Sequence, residues 1–144
     1  MRVLDNLGAM VNRTQALVLG FFLLAVASLV VIRLAAPDVY DEALRLPAGD
    51  RRLETAFLAA LVAFITLLGV GVLRRWRWLF WLVMLAFLAG VVRVPVAVLQ
   101  LSGLLDADVP TWYVLFQGIV GLVQCGIGLA MVRGYRRAGV WGAF

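Results

Sequence analysis

The sequence predicts an all-α polytopic membrane protein. It would hold four transmembrane helices in an antiparallel up-down bundle, N-in/C-in, with short amphipathic elements at the N-terminus and in the first outer loop. Three observations predict this. Hydrophobic residues make up 65% of the 144, against about half in soluble domains, so a water-soluble fold would expose large apolar patches. Four apolar stretches reach spanning length, about 20 residues, since ~30 Å of hydrocarbon is divided by ~1.5 Å of rise per residue. The arginines also gather in alternate connections. Residues 1–144 therefore read as a single four-helix transmembrane domain.

The first dozen residues precede any span. Val3, Leu4, Leu7, Met10 and Val11 share one helical face, with Arg2, Asp5, Asn6 and Arg13 mostly off it, which fits a short helix on the membrane surface. The first transmembrane helix runs from about 15 to 32. Arg2 and Arg13 before it, and Arg33-Leu34-Ala35-Ala36 after it, imitate a signal peptide. Its apolar core exceeds the usual length of roughly 7–15 residues, so it reads as an uncleaved span.

Residues 33–54 form the one sizeable loop. Pro37-Asp38 followed by Asp41-Glu42 is a helix-start pattern, an N-cap acid with acids in the first turn. Pro47 and Gly49 end it. Val39, Tyr40, Ala43, Leu44 and Leu46 give this short helix an apolar side. The second transmembrane helix runs from about 55 to 73, with Asp50 placed to cap it. Its stripe of Thr55, Ala59, Ala63, Thr66 and Gly69 is the small-residue pattern by which membrane helices approach closely. Arg74, Arg75 and Arg77 then interleave with Trp76 and Trp78. Such a pattern can stack on nucleic acid. Between two spans it reads instead as an interfacial aromatic belt with a charge anchor, and no nucleic-acid partner is expected.

The third transmembrane helix (about 78–101) contains Arg93, inside Gly90-Val91-Val92-Arg93-Val94-Pro95. The fourth (about 112–132) follows Pro110-Thr111-Trp112-Tyr113 and ends at Arg133, Arg136 and Arg137. Trp141 and Phe144 are placed to touch the interface again.

Arginine positions set the orientation. All thirteen basic residues are Arg. The N-terminus, second loop and C-terminal tail carry two, three and three of them against one acid, Asp5. The first and third loops carry four, with seven acids: Asp38, Asp41, Glu42, Asp50, Glu54, Asp106 and Asp108. The positive-inside rule then puts both termini in the cytoplasm of a multi-pass plasma (cytoplasmic, inner) membrane protein.

A polar seam follows from helical steps of three and four. The Arg93 face of the third span carries Ala86, Gly90, Arg93, Ala97 and Gln100. The fourth span offers Tyr113, Gln117, Gly121, Gln124 and Gly128. A short connection around Asp106 makes the two helices antiparallel neighbours. Pairing at equal distance from that turn sets Arg93 near Gln117, Gly90 near Gly121, Gln100 near Tyr113, and Gln124 level with Ala86. An arginine at the bilayer centre costs about 2.5–3.5 kcal/mol on insertion scales. Arg93 lies off centre, because Gln100 is roughly 10 Å further outward. Its possible partners are Gln117, Gln100, Tyr113, Asp106, Asp108, Glu54 or a backbone carbonyl. Its role is that of an interhelical clamp fixing the hairpin, an anchor for a ligand or lipid headgroup, or a side chain snorkelling to solvent. Pro95 removes the amide that would bond to Val91, which frees that carbonyl and bends the helix.

Absences bound the chemistry. There is no histidine, which removes bis-His haem and His-based metal or acid–base chemistry. The single cysteine, Cys125, forms no internal disulfide. No carboxylate lies inside a span, so the usual proton- or cation-coupling group is missing. Gly69-Val70-Gly71 and Gly126-Ile127-Gly128 sit in helices as packing positions and not as a phosphate loop. No cofactor, metal or catalytic residue is expected. An enzyme of lipid chemistry would need carboxylates at the interface, and the spacing of Asp38, Asp41 and Glu42 suits helix capping better than metal binding. That makes it the third and weakest reading, behind two others. One is a non-enzymatic protein that associates with itself or another membrane protein, as a homo-oligomer or accessory subunit. The other binds or transports a small anionic, carbonyl-bearing or lipid ligand at Arg93, Gln100, Tyr113, Gln117 and Gln124.

Overall fold

The computed structural model describes residues 11–36, 39, 51–106 and 109–143. Among these the chain is helical: α1 (Arg13–Ala35), α2 (Arg51–Leu73), α3 (Arg77–Ala89), a 3-10 turn (Gly90–Val92), α4 (Arg93–Leu101) and α5 (Thr111–Ala138). Four helical stretches are long and apolar enough to cross a membrane, with α3, the 3-10 turn and α4 counting as one. The expected N-terminal surface helix, the short helix of the first loop and the Asp50 cap lie outside the described residues.

Only 11–28% of the residues in each apolar window are buried. Leu23, Leu34, Leu85 and Ile119 are among the many large apolar side chains left exposed. Water would penalise that surface, while hydrocarbon solvates it. The fold is thus compatible with a small membrane protein. At 28 residues, α5 is about 42 Å long, well beyond the ~30 Å apolar layer. Its final turns carry Arg136 and Arg137, whose charge complements the helix C-terminus. The helix continues past residue 132, where the apolar stretch is expected to end, because periodicity marks where apolar residues stop, not where the helix does.

Helix α1 packs on α2, and α3 and α4 pack on α5. These two units meet through α1 against α5, and α2 touches α3 more weakly. A buried cluster joins them at the end where Asn12 and Thr14 meet Trp141 and Gly142, hereafter the terminal end, made of Val18, Phe22, Val72, Leu79, Phe80, Val83, Phe87, Ile127, Met131 and Trp141.

Local chemistry closes that end. Asn12 and Gln15 form a capping box at the start of α1. The Gln15 Nε2 donates to the Val72 carbonyl at 2.7 Å, tying α1 to the end of α2. There the chain reverses through Arg75 at φ 55, with Trp76 N–H bonded to the Gly71 carbonyl at 3.1 Å and Arg75 N–H to Val72 at 3.1 Å. This is a Schellman ending, with arginine where glycine is usual. After Gly139 (φ 77) the tail turns back. Trp141 is 2% exposed, and its Nε1 donates to the Trp76 carbonyl at 3.1 Å. Its ring meets Phe80 edge-on at 5.2 Å. Asn12 Nδ2 donates to the Trp141 carbonyl, and the Thr14 hydroxyl donates to Gly142 at 2.7 Å. Trp141 is therefore a buried anchor and not an interfacial one. Phe144 lies outside the described residues.

Candidate functional site

The site begins with Pro95. Without an N–H it leaves the Val91 carbonyl unpaired in α-helical register, and the helix tightens into the 3-10 turn Gly90–Val92. A mid-span 3-10 turn brings backbone close to a neighbour only if side chains make room. Gly90 and Gly121 do so. A Cβ on Gly121 would lie 2.6 Å from the Gly90 carbonyl oxygen and 2.9 Å from Arg93 Cβ. A Cβ on Gly90 would lie 2.7 Å from Gln124 Oε1. The predicted contact between the two glycines is present.

From this close approach Arg93 extends along α5 toward the loop joining α4 and α5. Its Nη1 donates to Gln117 Oε1 at 3.1 Å. Gln117 Nε2 in turn donates to the Tyr113 hydroxyl at 2.8 Å. The partner expected for Arg93 is thus the one it has. The backbone register differs by about one turn. Arg93 Cβ faces Gly121, Ala97 faces Gly118, and Leu88 faces Gly128. Gln124, expected level with Ala86, lies against Gly90. Equal-distance pairing assumes two straight helices around a symmetric turn. The offset is already present between the loop and the 3-10 turn, at Ala97 and Gly118, and Leu104 and Leu105 fold back to the Leu99 carbonyl, so the turn is not symmetric. The arginine side chain spans the offset.

Acidic partners considered for Arg93 are placed elsewhere. Glu54, 4% exposed, lies 3.0 Å from Arg33 Nε. That contact is ionic but off the direction of a hydrogen bond, since Glu54 Oε1 has no hydrogen-bond partner. Asp106 is exposed on the loop, and Asp108 is outside the described residues. Among the described residues Arg93 bonds to a neutral amide and forms no ion pair.

Two cavities flank the Arg93–Gln117–Tyr113 chain. One, of ≈ 280 Å³, lies along α4 and α5 and is lined by Gln100, Val92, Val96 and Val114 besides the three. Gln100 and Tyr113 share this wall, as expected. The other, of ≈ 450 Å³, lies between the two helical units. Its walls include Ser28 and Leu24 of α1, Phe64 of α2, Phe87 of α3, and Gln124 of α5. It sits between the buried cluster at the terminal end and a smaller cluster of Ile32 and Val39 packed by Leu29, Tyr113 and Phe116.

The five predicted residues therefore divide. Arg93, Tyr113 and Gln117 border both cavities, Gln100 only the smaller, and Gln124 only the larger. Gln124 Oε1 is buried without a hydrogen-bond partner. Arg93 has five N–H donors and uses one on Gln117, and the Tyr113 hydroxyl accepts from Gln117 while keeping its own proton. Arg93 and Tyr113 thus present donors to an oxygen acceptor, whereas Gln124 Oε1 is itself an acceptor and calls for a donor. Sequence reasoning missed the contribution of α1 and α2. Ser28 is the single hydroxyl on the apolar stretch of α1, and it could have pointed there. Its role depends on helix order around the bundle, which periodicity does not carry.

No protein-family model matches the chain, and comparison with curated proteins and with solved structures gives no match either.

Proposed function

We propose that this is an inner-membrane protein, an antiparallel four-helix bundle with both termini cytoplasmic, that binds an oxygen-rich ligand at Arg93 without chemically converting it. The observation that carries this reading is an arginine within a span that has no carboxylate partner among the described residues and borders a ≈ 450 Å³ cavity. Arg93 is exposed on the bundle, and where that surface faces hydrocarbon a cation needs an anion or strong acceptors nearby, because uncompensated charge in a low-dielectric medium is penalised. Gln117 supplies one neutral acceptor. A ligand carrying a carboxylate, phosphate or polarised carbonyl supplies the rest, with Tyr113 and Gln124 as lining and Gln100 across the pair. Transport is one use of such a site, since the cavity has walls from both helical units.

Native mass spectrometry of the protein released from nanodiscs tests this. An acidic, apolar small molecule should accompany the wild type and be depleted in Arg93→Gln. Equal retention in both proteins would refute it.

A second reading rests on α2. Its stripe residues Thr55, Ala59 and Ala63 are exposed and line a ≈ 490 Å³ groove shared with Leu29, Val30, Arg33 and Leu34 of α1, while Gly69 lies 3.8 Å from Leu19. That groove offers a seat to an apolar helix of a second copy or of another membrane protein. A monodisperse monomer in nanodiscs would count against that association.

A further inference from the structure

We infer that the ligand is a single-chain anionic amphiphile, whose head rests on Arg93 and whose chain fills the larger cavity after entering sideways from the bilayer. This deepens the reading of Arg93 as a ligand anchor and rests on it. Three observations lead here. First, among the described residues apolar clusters border the cavity along the bundle axis on both sides, with Phe22 and Phe87 of the Phe80–Trp141 cluster toward one end and Ile32, Tyr113 and Phe116 toward the other. Second, it is not closed all round. Helix α2 packs on α1 and touches α3, but no extended packing joins α2 to α4 or α5 among the described residues. Phe64 of α2 and Leu24 of α1 line the cavity while being 53% and 57% exposed. A molecule already dissolved in hydrocarbon can pass such a gap, whereas a free water-soluble anion would first have to leave water.

Third, the lining is two-sided. Arg93, Gln117, Tyr113 and Gln124 stand on the α4–α5 wall, and the α1–α2 wall is apolar apart from Ser28. A polar head joined to one apolar chain matches that division. Inorganic phosphate or acetate matches only the first wall. A two-chain phospholipid offers more hydrocarbon than one ≈ 450 Å³ cavity encloses. The head chemistry is an anionic oxygen group, found alike in a fatty-acid carboxylate and in a monoalkyl phosphate.

The test uses the full chain in nanodiscs and reads thermal unfolding with palmitate, dodecyl phosphate, methyl palmitate and acetate. Palmitate or dodecyl phosphate should raise the midpoint by several degrees, and whichever acts more strongly identifies the head. Methyl palmitate and acetate should not. Arg93→Gln should weaken the effective anion at least tenfold. Should that variant fold poorly, Ala25→Phe serves instead. Ala25 lines the cavity away from the hydrogen-bonded chain, so an added ring should abolish the shift while keeping or raising the basal midpoint. Protection by acetate equal to that by palmitate would overturn the single-chain inference and leave Arg93 as an anion site. Protection by methyl palmitate equal to that by palmitate would overturn the anionic head and leave Arg93 as an anchor for a carbonyl, whereas protection that is unchanged in Arg93→Gln would overturn both readings. Unchanged palmitate binding in Ala25→Phe would place the chain elsewhere and refute the inference.

Discussion

The two ends of this bundle solve the same problem in opposite ways. At the terminal end, polar groups that fold inward find partners. Gln15 reaches the Val72 carbonyl, Thr14 reaches Gly142, and Trp141 Nε1 reaches Trp76. Three helices and the tail are thereby bound through backbone carbonyls, the acceptors most often left over at helix ends. Farther from that end the balance changes. Glu54 Oε1 and Gln124 Oε1 are both buried without a hydrogen bond, Arg93 holds one neutral partner, and a cavity separates the helical units. Close packing and satisfied polar groups specify one arrangement. Open volume beside unsatisfied groups is where a membrane protein has room to take up another molecule.

That contrast ranks substitutions. The largest loss is expected from Trp141→Ala, which removes the ring against Phe80 and the bond to Trp76 together. About 3–5 kcal/mol is usual for deleting a buried aromatic, and unfolding in nanodiscs should show it as the steepest fall in midpoint. A mild effect would mean that the tail does not hold the terminal end. Gly121→Ala comes next. Its Cβ would meet the Gly90 carbonyl at 2.6 Å, which is backbone and cannot rotate away. Overpacking of this kind costs about 1–3 kcal/mol, and here it should also part Arg93 from Gln117. Gly118→Ala, with Ala97 Cβ at 3.2 Å, serves as the milder control.

Arg93→Gln should cost far less stability, about 0.6 kcal/mol, the average for a hydrogen bond between membrane helices. Its main consequence should be lost ligand. A destabilisation as large as that of Trp141→Ala would instead make Arg93 an interhelical clamp and erase the distinction between the two ends. The smallest effect belongs to Gln124→Met. It removes a buried oxygen that already lacks a partner while keeping the side chain's length, so stability should stay level or rise slightly. A clear loss of stability would reveal a bond that Gln124 makes in the folded protein.

Sequence periodicity was enough to find the four apolar helices, because ~20-residue apolar runs have few other uses. It also found the Arg93–Gln117 pair and the approach of Gly90 to Gly121, since polar and small residues recur on one face of each helix. It misplaced Gln124 by about a turn, because the loop between α4 and α5 does not reverse symmetrically. It did not find the ends of the bundle at all. Trp141 reads as an interfacial aromatic until the tail is seen to fold back through Gly139, and Gln15 reads as the polar edge of a span until Val72 is placed beside it. Contacts between residues more than fifty apart in sequence depend on how the helices are ordered, and single-helix patterns are silent on that order.

Whether the space beside Arg93 is a ligand chamber or a packing defect is decided by an experimental structure of the protein in nanodiscs. A chamber should hold non-protein density between α2 and α4, within hydrogen-bonding distance of the Arg93 guanidinium, while the Gln117–Tyr113 bond stays in place. A filled seam, with α2 packed against α4 and Arg93 bonded only to protein, would contradict the chamber.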